Sequence, residues 1–110
     1  MFKIEKEPKF WAEVKVLTPI DDGHREDSFR ARFKVQPAET VEQFDLGMNG
    51  EDMAEFLRTT VVDLSDIQDD DGKALPFSPE LLNTMIGNYG ARLAMINTYA
   101  AAVAKARAGN

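Results

Sequence analysis

Apolar and polar positions alternate with a period of two in two stretches near the start of the chain. In Lys9-Phe10-Trp11-Ala12-Glu13-Val14-Lys15-Val16-Leu17 the set Phe10, Ala12, Val14 and Val16 falls on one side, which predicts a strand with one buried face. Phe29, Ala31, Phe33 and Val35 alternate with Arg30, Arg32 and Lys34 in the same way, so a second strand turns an apolar face inward and a basic face outward. The two are expected to pair as an antiparallel hairpin over about residues 9–36. Residues 19–27 between them are polar, hold the single histidine His24, and are expected to form an exposed mobile loop, too long for a two-residue turn. A lone hairpin is marginal in water, so its apolar face needs a cover from the rest of the chain.

The rest of the chain has a helical period. Pro37 ends the second strand, and residues 39–46 can form a short helix before Gly47 and Gly50. Beyond Gly50, the residues Met53, Phe56, Leu57, Thr60, Val61 and Leu64 make one helical stripe, with Asn49 placed as its cap and Asp52 three residues on. The run Thr59-Thr60-Val61-Val62 is β-branched, which weakens the helix and allows fraying or a switch to extended chain near Asp63. Residues 66–73 read as a polar turn with Gly72 free to take positive φ. Ser78, Pro79 and Glu80 then supply a cap, a first helical position and an acidic first turn for a helix carrying Leu81, Leu82, Met85 and Ile86. A last, alanine-rich helix from Ala91 to about Ala106 carries Leu93, Ile96, Ala100 and Val103 on one stripe, with Met95, Tyr99 and Ala102 beside it.

These elements predict an α+β fold in a single domain over residues 1–110: an N-terminal antiparallel β-hairpin packed on a C-terminal bundle of three or four helices, the helical part covering about residues 38–106. Phe29, Phe33, Phe56, Leu57, Val61, Leu82, Ile86, Leu93 and Ile96 are the expected core.

Composition narrows the functions this fold could serve. The 110 residues are 44% hydrophobic and contain no cysteine, which suffices for one core and excludes a disulfide framework, a thiol nucleophile and thiolate metal sites. No apolar run approaches the ~18 residues of a membrane span, and the N-terminus lacks the apolar stretch of a signal peptide, so a soluble, unprocessed protein is expected. The net charge of -6 argues against general affinity for nucleic acid or anionic membranes. That charge is unevenly placed: residues 38–77 carry 2 basic and 11 acidic groups, between ends that are nearly neutral or slightly basic.

No catalytic constellation is visible, so an enzyme is not expected. His24 has no serine or cysteine partner nearby in sequence. The cluster Asp66, Asp69, Asp70 and Asp71 fails the calcium-loop pattern, because Ile67 and Ser78 stand where its first and last ligands belong; no metal or cofactor is expected. The candidates for partner binding are Trp11 and the basic set Arg30, Arg32 and Lys34, all on the outer faces of the two strands, with Met95 and Tyr99 on the broad apolar face of the last helix.

Three phrases in this order carry a family resemblance. The strand Phe29-Arg30-Ala31-Arg32-Phe33-Lys34, the helix end Glu55-Phe56-Leu57-Arg58-Thr59-Thr60-Val61-Val62 and the segment Asp71-Gly72-Lys73-Ala74-Leu75-Pro76-Phe77-Ser78-Pro79-Glu80-Leu81, followed by an alanine-rich helix with Tyr99, resemble the tail assembly chaperones of long-tailed bacteriophages. After the paired valines, where the family often has an aromatic, this chain has Leu64. The resemblance implies a non-enzymatic role in the cytoplasm of the infected host cell. The chaperone would coat and solubilise the tape measure protein, help recruit tail tube protein, and leave before the virion is finished. It also implies a short form, which the ending of residues 105–110 with its polar, disordered tail would suit, and a longer form made by translational frameshift. A structural minor tail or connector protein of the particle is the alternative. From the charge pattern, weak self-association into a head-to-tail or spiral oligomer is expected, the basic strand face of one copy meeting the acidic helix of the next.

Overall fold

The computed structural model describes residues 1–108, with side chains through Ala104. Strand β1 (Lys9–Ile20) and strand β2 (Gly23–Lys34) form the hairpin. A single turn of helix, α1 (Ala38–Val41), leads into α2 (Gly50–Thr60), which runs without a loop into strand β3 (Val61–Ser65). Helices α3 (Pro79–Gly87) and α4 (Tyr89–Ala108) complete an α+β fold. The sheet order is β1-β2-β3, antiparallel throughout, so β2 is central and β1 has one free edge.

The hairpin extends further than its pattern predicts. Residues 19–27 do not form a loop: the register continues through Leu17↔Glu26 and Pro19↔His24 to Ile20↔Gly23, leaving Asp21 and Asp22 as a two-residue turn. Gly23 leaves that turn at φ 148, a conformation open to glycine. The alternation disappears here because β3 pairs with β2 only from Arg30 to Phe33, and the distal half of the hairpin projects past it with polar residues in water. The projecting arm fits the elongated outline of the molecule, 47 × 28 × 27 Å.

Strand β3 stands where the pattern predicts the end of a helix. The Thr59 hydroxyl donates back to the carbonyls of Glu55 and Phe56, and Val61 takes extended geometry (φ -82, ψ 121), as a β-branched run favours. Val61 pairs with Phe33 and Asp63 with Arg32, so Val62 is an extra, bulged residue. The bulge lets Val61 and Leu64, three apart, both face inward, and this imitates helical spacing. The short helix expected over residues 39–46 stops after one turn: the N–H groups of Gln43 and Phe44 bond three residues back, to Thr40 and Val41, and the Asp45 carboxylate then accepts the Met48 N–H in a separate turn.

The helix caps follow the sequence closely. Asn49 accepts from the N–H groups of Glu51 and Asp52, and Ser78 accepts from Leu81 N with Pro79 opening α3. Asp52 instead accepts the Asp45 N–H at 2.8 Å, tying the preceding loop to α2. Helix α4 starts two residues before Ala91, with Asn88 accepting from Ala91 N. It lies close to β1: a Cβ at Gly90 would meet Val16 Cγ1 at 3.3 Å. Its backbone continues to Ala108, where a disordered tail was expected; Gly109 and Asn110 lie outside the described residues.

One contiguous core joins the inner face of the sheet to α2, α3 and α4. Of the expected core residues, all are buried except Leu93, which is half-buried at the flank of α4. Val35 is exposed rather than inward, because β2 ends at Lys34 and Val35 sits opposite Pro8 beyond the covered part of the sheet. Phe56 is fully buried, with Tyr99 at 5.2 Å and Phe44 at 5.6 Å between ring centroids. Replacing Phe56 by alanine should therefore cost about 3–5 kcal/mol in urea denaturation. A loss below about 0.5 kcal/mol would remove it from the core.

Candidate partner-binding surfaces

The helices cover one face of the sheet and leave the other open. On the open face Trp11 lies opposite Arg32, Glu13 opposite Arg30 and Lys9 opposite Lys34, while Asp63 of β3 pairs with Arg32. Trp11 remains 38% exposed, with the Arg30 guanidinium 5.6 Å from its ring centroid. Lys15 reaches Glu13 of its own strand at 3.8 Å. Among the described residues, Arg30, Arg32 and Lys34 have no carboxylate within salt-bridge distance. A protein of net charge -6 thus presents one concentrated basic surface around an aromatic ring.

Met95 and Tyr99 are core residues rather than exposed ones, although Tyr99 lies at the floor of a groove beside α4. They are 0% and 5% exposed, because α4 turns them onto the sheet rather than toward solvent. Tyr99 stacks edge-on against Phe33 and Phe56, and its hydroxyl accepts the Gln36 N–H at 2.9 Å. The breadth of apolar residues around α4 is therefore mostly core. What α4 leaves outward is smaller: exposed Ala100 and half-buried Val103, with the edge of buried Ile96 beneath them, form one wall of a groove of about 370 Å³, with Val41 and Leu46 opposite. The pattern already contained Ile96, Ala100 and Val103 as one stripe; their opposite wall depends on how the loop after α1 folds back.

A second depression, an open cleft of about 1070 Å³, lies beside the start of α2. Asp45, Glu51, Asp52 and Glu55 line it with Arg92, whose guanidinium is 5.1 Å from the Tyr89 ring centroid. Arg58 also lines this cleft and pairs with Glu55 at 3.4 Å, so among the described residues Asp45, Glu51 and Asp52 are its acidic groups outside an ion pair. The aspartates of residues 66–73 do not converge on a site. Asp69 accepts from the N–H groups of Asp71 and Lys73, and Gly72 at φ 79 closes the turn. Among the described residues no group of three or more histidine or acidic side chains could hold a metal ion, and no helix is long and apolar enough to cross a membrane. His24 pairs with Pro19 near the exposed tip of the hairpin.

The chain matches no family model, and it matches neither a curated protein nor a solved structure.

The basic face makes a prediction about local potential. At low ionic strength, iodide should quench the fluorescence of the single tryptophan Trp11 more strongly than caesium does, despite the acidic net charge. Replacing Arg30 and Arg32 with glutamate should reverse that order.

Proposed function

We propose that this protein is an assembly chaperone for the tails of long-tailed bacteriophages. It binds the tape measure protein, keeps it soluble, and helps recruit tail tube protein in the host cell cytoplasm. The observation that carries the reading on the structural side is the groove between α4 and the segment containing Val41 and Leu46. Its mainly apolar lining suits the apolar stripe of an amphipathic helix, the form expected of a long helical client. The sequence resemblance supplies the identity of that client. A small domain offering a groove and charged faces suits transient coating of a long partner.

Coating a long partner calls for repeated contacts between copies. The basic open face with Arg30 and Arg32, and the cleft with Asp45, Glu51 and Asp52, provide complementary charges for a weak head-to-tail contact, which repeats into a spiral. The groups are exposed, so this contact loosens as salt screens it.

Co-expression with the tape measure protein of the same phage tests the reading. The tape measure protein should become soluble and co-purify, and replacing Ala100 or Val103 with glutamate should abolish both effects while the domain still folds. Purified virions should lack the protein. An insoluble tape measure protein, or the protein at stoichiometric abundance in virions, would overturn the chaperone reading; the latter would favour a minor tail or connector subunit.

A further inference from the structure

We propose that two copies of this chain pair edge to edge through β1, forming a two-fold dimer with a continuous six-stranded sheet. This edge is distinct from the groove and adjoins the basic face through Trp11 and Glu13, and the inference does not rest on the proposed function.

Strand β1 is an outer strand of twelve residues. Val35 N donates to Pro8 O, which makes Pro8 and Val35 a hydrogen-bonded pair at the end of the β1–β2 ladder. Such pairs alternate along an antiparallel ladder, so the even-numbered residues of β1 bond to β2. The backbone groups of Lys9, Trp11, Glu13, Lys15 and Leu17 therefore point to the free edge. Natural sheets blunt an exposed edge with charge, proline or a cover. Here Pro19 removes a donor only near the hairpin tip; the edge before it carries the charges Lys9, Glu13 and Lys15, of both signs, interleaved with the exposed apolar residues Trp11 and Leu17, the latter 60% exposed.

Only some antiparallel registers let the odd-numbered residues of both copies bond to one another, and side-chain chemistry selects among them. Centring the pair on Val14 places Glu13 opposite Lys15 of the second copy, and Lys15 opposite its Glu13. The same register sets Trp11 opposite Leu17 in both directions, so each exposed apolar residue gains an apolar partner. Centring on Glu13 or on Lys15 instead sets like charges face to face, which is unfavourable. In the favoured register the four cross-pairs can each exchange two main-chain hydrogen bonds, and the ladder ends where Pro19 has no N–H to give.

The flank of β1 has room for the second strand. A trough of about 510 Å³ lies between β1 and α4, bordered by Glu13, Lys15 and Leu17 on one side and by Ala94, Thr98 and Ala101 on the other. A two-fold axis normal to the sheet keeps the helices of both copies on one side, where these small residues allow the two α4 helices to come close.

Sedimentation velocity of the full chain at 0.15 and 0.5 M salt, as approximate conditions for and against charge screening, tests the dimer. A dimer is expected at both, since main-chain bonds and apolar pairs carry much of the contact. Lys15→Glu faces glutamate with glutamate at both symmetric pairs and should weaken dimerisation about tenfold or more. The double variant Glu13→Lys with Lys15→Glu exchanges the charges and should restore it. Val103→Glu, in the groove on the other flank of α4, should leave the dimer intact. A monomer at all concentrations, a dimer insensitive to Lys15→Glu, or a double variant no better than the single one would overturn the proposal.

Discussion

Four elements meet at the side chain of Tyr99. Its ring lies 6.1 Å from Phe10 of β1, 5.7 Å from Phe33 of β2 and 5.2 Å from Phe56 of α2, measured between centroids. Its hydroxyl, buried with it, accepts the N–H of Gln36, and the Gln36 side chain donates to Thr60 Oγ1 and to the Thr59 carbonyl. A buried hydroxyl without a partner is costly, so this geometry constrains α4 against the end of β2 as well as against the sheet's apolar face. The same contacts hold the place where α2 becomes β3. Edge-on aromatic packing and one satisfied hydroxyl thus set how the helical layer sits on the hairpin.

From that placement follow the surfaces. With α2, α3 and α4 sealing one side of a three-stranded sheet, the other side is left to charged residues and Trp11. With Ala91, Met95, Ile96 and Tyr99 turned inward, Ala100 and Val103 border the groove toward Val41 and Leu46, and Leu93, Ala94 and Ala101 border the trough beside β1. The groove is suited to a helix and the free edge to a strand, so the two flanks of α4 favour different kinds of partner. The uneven charge along the chain becomes spatial in the same way: the acidic segment lines the cleft at the start of α2 while the basic strand face stays open.

The hairpin core, three of the four helices and both helix caps were legible because each rests on local chemistry: alternation, helical spacing, Asn49 and Ser78. Strand β3 was legible only in part: the β-branched run marked a switch to extended chain near Asp63, but a bulge at Val62 gives Val61 and Leu64 the spacing of a helix and hid the strand's pairing. The distal hairpin was not legible, because a strand bathed in water on both faces has no alternation to read. Among the site residues, Trp11, Arg30, Arg32 and Lys34 share the open face that their strand positions imply. Met95 and Tyr99 show the limit of a helical pattern, which reveals that a face is apolar without revealing whether the protein itself covers it. The groove required the loop after α1 to fold back through Asp45 and Asp52, a contact between residues seven apart with no periodic signature.

If Tyr99 joins the sheet to the helices, weakening it must weaken both together. Urea denaturation of Tyr99→Leu, followed by Trp11 fluorescence for the sheet and far-ultraviolet circular dichroism for the helices, examines this directly. The two probes should give coincident transitions, both moved to lower urea than in the parent protein. A helical transition that moves while the Trp11 transition stays at its original midpoint would show that the hairpin stands without Tyr99, and would contradict the account.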